Sequence, residues 1–426
     1  HADLEDEEQT VYIPEIHTTA KDQTTKINHT EANKTATIVD TVSYTNLLPG
    51  REYTVSGTLM DKETGKTVLA DGKEITASTT FTPEKSEGSV DVIFTFDASI
   101  VAPKTVVAFE TLTYKKIQIA VHADIEDKDQ TVYIPTIRTS AKDNVTGINH
   151  TEADKEVTIT DTVTYKGLEV GREYTVSGTL MNQRTGAKIL VNGKPVTAST
   201  TFTAEEKEGS VEVVFTFDAT ALEGTTTVVF ETLYTENKEV AAHTDINDKG
   251  QTIYIPKIRT TAISDDTNDH VTKADEKITL IDTVAFTSLE VGREYTVTGK
   301  LMDRAANKPI LVDGKEVTAQ TTFVPETTDG TVDVTFTFDG TGLEDTLLVA
   351  FETLYTEEKE VGVHAEIEDD AQTVYLPKIQ TEAKDAVTEI DHTEALPKAK
   401  IIDTVSYSSL LPGKEYTVTG TLMNKE

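Results

Sequence analysis

A motif of the form His-x-Asp/Glu-x-x-Asp-x-x-Gln-Thr occurs four times at one fixed spacing of 121 residues, at His1–Thr10, His122–Thr131, His243–Thr252 and His364–Thr373. A period kept without insertion or deletion means that one structural unit recurs, so the fold question reduces to one copy. At about 120 residues a copy is long enough to bury a core of its own, unlike the short unit of a solenoid. Boundaries fall near the recurring prolines Pro14, Pro135, Pro256 and Pro377. Residues 1–15 then read as the C-terminal strand of a preceding truncated repeat, and 16–136, 137–257 and 258–378 as three whole copies. Residues 379–426 read as the N-terminal part of a truncated fourth, so the chain is expected to be a fragment of a longer polypeptide.

Within a copy, Thr, Val, Ile, Tyr and Phe alternate over short runs broken by turn residues. Arg51–Met60, Thr76–Thr82, Ser89–Asp97 and Thr105–Leu112 read as strands, with Leu48–Gly50 and Asp71-Gly72 marking tight connections. No stretch carries a convincing 3.6-residue period. Seven to nine strands in about 120 residues predict an all-β fold: tandem immunoglobulin-like antiparallel β-sandwiches. Linkers this short and proline-bearing predict an extended rod.

Composition narrows the function. The chain holds 39 basic and 74 acidic residues, a formal net charge of −35. That charge repels nucleic acid and anionic membrane surfaces, so neither is expected as a partner. No cysteine is present, which removes disulfides, thiol nucleophiles and Cys-held metals. A secreted sandwich of this kind must be stapled otherwise or rely on its core.

Two acids break the apolar pattern. In the run Ala36–Tyr44, period 2 places Asp40 on one face with Ile38 and Val42, and Asp161, Asp282 and Asp403 recur in register. In Val106–Leu112, Glu110 shares a face with Ala108 and Leu112, and Glu231 and Glu352 follow it. A carboxyl buried on a strand must be paired, hydrogen-bonded or protonated. His122, His243 and His364 keep phase eight residues before Gln130, Gln251 and Gln372, as do Thr18, Thr139, Thr260 and Thr381. His29, His150 and His392 drift to Val271 in the third copy, which reads as a loop position without a demanding role. His17 is replaced by Arg138 and reads as a surface residue.

Thr18 in IHTTA, Asp40 in VDTVSY, Glu110 in VAFETL, and His122 and Gln130 in HADIEDKDQT together resemble the Thr–Gln ester-bond domains, or VaFE repeats, of Gram-positive surface proteins. The resemblance covers the whole chain, with VVFE in place of VAFE at Val228–Glu231. It implies that the threonine hydroxyl attacks the glutamine carboxamide, releasing ammonia and joining the first and last strands by an intramolecular ester. The implied cross-links are Thr18–Gln130, Thr139–Gln251 and Thr260–Gln372. The implied acid–base residues are Asp40, Glu110 and His122, then Asp161, Glu231 and His243, then Asp282, Glu352 and His364. Their division of labour is left open. The resemblance further implies a cell-wall-anchored, extracellular adhesin stalk, self-cross-linking once per repeat rather than turning over as an enzyme, with no cofactor and no metal. A host ligand is expected on a tip domain outside the chain, and peptidoglycan attachment through a missing C-terminal region.

The alternative is an array of glycan- or host-protein-binding modules. Nearly copied loops and the absence of Trp weigh against it. A Lys–Asn isopeptide needs a phased lysine, and Lys21, Lys142 and Lys384 have no counterpart around Ile263. The acidic run Asp124–Asp129 lacks the glycine and the final glutamate of an EF-hand loop, and reads as a solvated loop.

Overall fold

The computed structural model describes residues 7–425. His1, the motif histidine of the first copy, lies outside the described residues. The chain is nearly all β, and no helix among the described residues is long and apolar enough to cross a membrane. It divides into two compact units. One holds His1–Asn144, Thr158–Phe217 and Thr227–Ile253, and the other holds Val145–Val157, Asp218–Thr226 and Tyr254–Glu426.

The first repeat shows the architecture. Its strands are β1 (Glu15–Asp22), β2 (Ala36–Thr45), β3 (Tyr53–Asp61), β4 (Leu69–Ala70), β5 (Lys73–Glu74), β6 (Thr76–Phe81), β7 (Gly88–Phe96), β8 (Thr105–Tyr114), β9 (Ile117–His122) and β10 (Thr131–Tyr133). One sheet has the order β1-β2-β7. The other runs β10-β8-β3-β6, with β9 also paired to β8. All the pairings are antiparallel. Alternation writes the two faces: β1 buries Ile16, Thr18, Ala20 and Asp22, and β2 buries Ala36, Ile38, Asp40, Val42 and Tyr44. Between the sheets Val42, Val55, Leu59, Val92, Phe94, Ala108, Leu112 and Val132 form the core. The tight β4–β5 connection uses Asp71 and Gly72, both at positive φ, as its Asp-Gly sequence requires.

Three consequences of this topology position the site. The first strand and the last belong to different sheets yet meet at one edge, where the Ala20 amide donates to the Asp129 carbonyl at 2.8 Å. Register sets Ala20 opposite Asp40, Gly57 opposite Glu110, and Glu110 opposite His122. Gly57 is there because Phe94 packs over it: a Cβ would meet the Phe94 ring, and Gly178 and Gly299 face Phe215 and Phe336 the same way. In the third repeat the strands Lys257–Ser264, Ile278–Thr287 and Gly330–Phe338 form the equivalent first sheet, around a core that includes Leu280, Val297, Phe336 and Leu354. Residues beyond Lys378 form one strand pair, Lys378–Asp385 with Ile401–Ser408.

One sequence expectation fails here. His29 is not a loose loop residue but fully buried, its ring stacked on Tyr133 at 5.0 Å and its Nε2 2.7 Å from the hydroxyl of Tyr174 in the next repeat. His150 repeats the arrangement on Tyr254 and Tyr295, with Nε2 2.6 Å from the Tyr295 hydroxyl. Burial, aided by Arg172 and Arg293 respectively, drives both imidazoles down to about 3 and keeps them neutral. The partner lies 145 positions away, which no local pattern reveals.

Candidate functional site: a buried Thr–Gln–acid cluster

Five chain segments deliver the side chains. Thr18 takes the inward place between Ile16 and Ala20 on β1, and Asp40 takes the one between Ile38 and Val42 on β2. Glu110 comes from the middle of β8, His122 from the end of β9, and Gln130 immediately precedes β10. Asp40, Glu110 and Gln130 are wholly inaccessible, and Thr18 nearly so.

Gln130 Nε2 donates to Thr18 Oγ1 at 2.6 Å and to Glu110 Oε2 at 2.7 Å, and Thr18 Oγ1 donates to the same carboxyl oxygen at 3.3 Å. In the third repeat Gln372 Nε2 reaches Thr260 Oγ1 and Glu352 Oε2, each at 2.8 Å, with Thr260 at 3.2 Å from Glu352. The second repeat differs slightly. Gln251 Nε2 lies 2.6 Å from Glu231 Oε2 and Thr139 Oγ1 3.2 Å from it, but Thr139 is half-buried and no Gln251–Thr139 bond is among those described.

The acids are the unusual component. Burial raises the pKa of Glu110, and its neighbour Asp40 raises it further. Burial also raises Asp40, against the relief offered by Glu110 and Thr18. Glu231 with Asp161, and Glu352 with Asp282, follow the same pattern. Two carboxyls in one dry pocket cannot both ionise, so at neutral pH the pair carries a proton. The hydrogen-bond inventory agrees. Both oxygens of Asp40, Oε1 of Glu110 and Oε1 of Gln130 are buried acceptors without a donor, and the other two repeats leave the same atoms bare. A proton held between the two carboxyls supplies one of the donors they lack.

The histidine has a partner that the sequence reading did not assign. His122 faces Glu110 across the β8–β9 ladder, yet none of the described hydrogen bonds joins it to Thr18 or Gln130. Its Nε2 instead bonds Asp127 Oδ2 at 2.7 Å. His243 meets Asp248 at 2.9 Å and His364 meets Asp369 at 3.0 Å. The run read as a solvated acidic loop thus contains a residue committed to the histidine. Its signal was already in the 121-residue motif, where an Asp sits at the fifth position after every His. His17, exposed as expected, nevertheless sets its ring 5.6 Å from that of His122, and Arg259 brings Nη1 to 3.4 Å from His364 Nδ1. Among the described residues no group of three or more His, Asp or Glu side chains is arranged to hold a metal.

The family model described as "T-Q ester bond containing domain" matches residues 14–134, 135–255, 256–376 and 377–426. No curated protein matches the chain. Among solved structures, a Mobiluncus mulieris adhesin containing intramolecular disulfide, isopeptide and ester bond cross-links is similar at 15% identity and a TM-score of 0.25, over 59% of this chain and 87% of that one. A glycosyl hydrolase family 2 member from Bacteroides cellulosilyticus is similar at 12% identity and a TM-score of 0.22, over 52% and 27% of the two chains. A red sea bream transglutaminase is similar at 11% identity and a TM-score of 0.19, over 55% and 31%. At TM-scores this low, none of the three bears on function.

Proposed function

Because the chain belongs to the T-Q ester bond containing domain family along nearly its whole length, we propose that each complete repeat closes its own Thr–Gln ester and that the repeats serve as the stalk of an extracellular adhesin. The observation that carries this reading is the Thr18–Gln130 contact at 2.6 Å between residues 112 positions apart, inside a pocket lined by two acids.

The atoms offered suit the chemistry. Thr18 Oγ1 forms the new bond to the Gln130 carboxamide carbon, the carbon–nitrogen bond breaks, and the nitrogen leaves as ammonia with the hydroxyl proton. An amide nitrogen leaves only when protonated. Gln130 Nε2 rests 2.7 Å from Glu110 Oε2, on an acid pair that holds a proton at neutral pH. Complete burial keeps water from hydrolysing the product. No external reactant is needed, and each site acts once.

The mechanical role follows from the spacing. The ester bypasses the bulk of a repeat, and only nine positions separate Gln130 from Thr139, the start of the next closed loop. Cell-wall anchoring, and a host ligand bound by a domain outside this chain, complete the proposal. Intact mass of the purified protein tests it: a deficit of three ammonia masses is expected, and Thr18→Ala removes one of the three. A full calculated mass for the wild-type chain sinks the reading.

A further inference from the structure

The threonine, glutamine and acids of the cluster are constant, but the residue that follows the third strand of each repeat is not. Lys62 follows Tyr53–Asp61, Gln183 follows Glu173–Asn182 and Arg304 follows Tyr295–Asp303, always at the 121-residue spacing. We infer that Lys62 and Arg304 are positioning residues for ester formation, strapping down the turn that delivers the acyl-donor glutamine, and that Gln183 leaves the second repeat the slowest to close. This rests on the ester-forming role proposed above.

Both cations reach residues on either side of the glutamine. Arg304 holds Glu368 through Nε at 3.1 Å and Nη2 at 2.7 Å, and Asp370 through Nη1 at 2.9 Å, all ahead of Gln372. The same Nη1 donates to Thr373 Oγ1, directly after Gln372, at 3.4 Å. Lys62 spans the first repeat with fewer bonds. Its Nζ lies 3.6 Å from Glu126 Oε2 and donates to Thr131 Oγ1 at 3.3 Å. Each threonine oxygen is free to accept because its own proton goes to the Asp127 or Asp369 backbone carbonyl, at 2.6 and 2.7 Å. A guanidinium fork or an ammonium therefore ties the start of the turn to its end, with the glutamine between.

The second repeat lacks the strap. Gln183 is uncharged, and its Nε2 donates to the Ile246 carbonyl at 3.3 Å, five positions before Gln251. Thr252 still donates to the Asp248 carbonyl at 2.7 Å, but none of the described bonds brings Gln183 to it. The acid is missing as well, since Asn247 stands where the other repeats have Glu126 and Glu368. Cation and acid thus change as a unit, as partners do. The repeat without them is also the one whose glutamine is set differently. Gln130 and Gln372 meet their threonines at 2.6 and 2.8 Å, whereas Gln251 bonds Glu231 and no bond to Thr139 is among those described.

This strap acts on rate rather than on stability. Glu126 and Glu368 are 78% and 75% exposed, and ion pairs so open to water add little to a fold. An acyl donor held slightly out of line costs rate steeply.

The full chain, made by cell-free synthesis and quenched at timed intervals, is mapped for its three cross-linked peptides. Thr139–Gln251 is expected to form about 10-fold more slowly than the other two. Lys62→Gln is expected to slow Thr18–Gln130 to a similar degree with little change in melting temperature, and Lys62→Arg to keep the fast rate. Gln183→Arg combined with Asn247→Glu is expected to bring the second repeat up to the rate of the third. That change is a gain, so a folding defect cannot mimic it. Equal rates for the three wild-type bonds, an unchanged rate in Lys62→Gln, or a second repeat that stays slow after both replacements overturns the inference while leaving the ester intact. If the wild-type chain never loses ammonia, the function reading fails and this inference falls with it.

Discussion

Thr18 and Asp40 in the first repeat have sequence twins in Thr381 and Asp403, and the two pairs sit in quite different surroundings. Strand pairing is the same in both places: Thr18 lies opposite Val42 and Ala20 opposite Asp40, while Thr381 lies opposite Val405 and Ala383 opposite Asp403. Yet Thr18 and Asp40 are buried, whereas Thr381 and Asp403 are exposed. Local sequence is therefore enough to place the threonine and the first acid on paired strands. It is not enough to bury the acid. Asp40 is raised because the opposing sheet seals it from water, and Glu110, the acid that sheet brings to it, comes from a strand seventy positions further along.

Removing the acid that the hairpin lacks should break this contrast most strongly. Glu110→Gln is expected to abolish the ester of the first repeat only, seen as one ammonia mass retained. That repeat should lose about 4–5 kcal/mol of cross-link stabilisation, as for a long closed loop. Asp403→Asn, the control in the exposed hairpin, is expected to change stability by less than about 0.5 kcal/mol.

The joints between repeats sharpen the contrast through pH. His29 and His150 are held neutral by burial, their folded values near 3 lying below the ordinary 6.5. The unfolded state then binds the extra proton, so their stabilisation is complete above about pH 6.5 and is lost as pH falls toward 3, at most about 5 kcal/mol per joint. Amide protection factors at Asn28–Thr30 and Asn149–Thr151, corrected for the intrinsic pH dependence of exchange, should fall below pH 5, while Val271, at the matching place in the third repeat, shows no such acid step. Equal acid sensitivity at all three positions would refute the assignment.

The smallest effect is steric. Gly57 sits opposite Glu110, with Phe94 where a Cβ would point. Gly57→Ala should cost about 1–3 kcal/mol through displacement of the ring. The turn after the exposed hairpin offers no such overpacking: Gly413→Ala, at a positive φ with open space around it, is strained only in its backbone. Thermal melting of the first repeat distinguishes the two.

Much of this was legible in the sequence. Period 2 alone put Asp40 and Glu110 inside, whereas the pairing of Thr18 with Gln130 came from the family resemblance, and the structure sets the two 2.6 Å apart. What the sequence concealed has a common physical cause. The role of His29 depends on a tyrosine hydroxyl 145 positions away in another repeat, so its drift to Val271 looked like indifference. Asp127 sits in a run of acids whose composition says solvent, and only the turn that folds it back onto His122 distinguishes it from Asp124 or Asp129. The constant position of the histidine left its contacts open, and the structure sets its Nε2 on that aspartate.

The cluster of the first repeat draws on β1 and β2 from one sheet and on β8 and the turn before β10 from the other. No subset of these strands brings hydroxyl, amide and paired acids together, as the solitary hairpin near the end of the chain illustrates. On the proposed chemistry, an ester can therefore be written only after both sheets have closed and water has been expelled. Each bond would be a chemical timestamp of completed folding. A population of these chains, weighed one ammonia at a time, would report how many of its repeats had ever reached the native state.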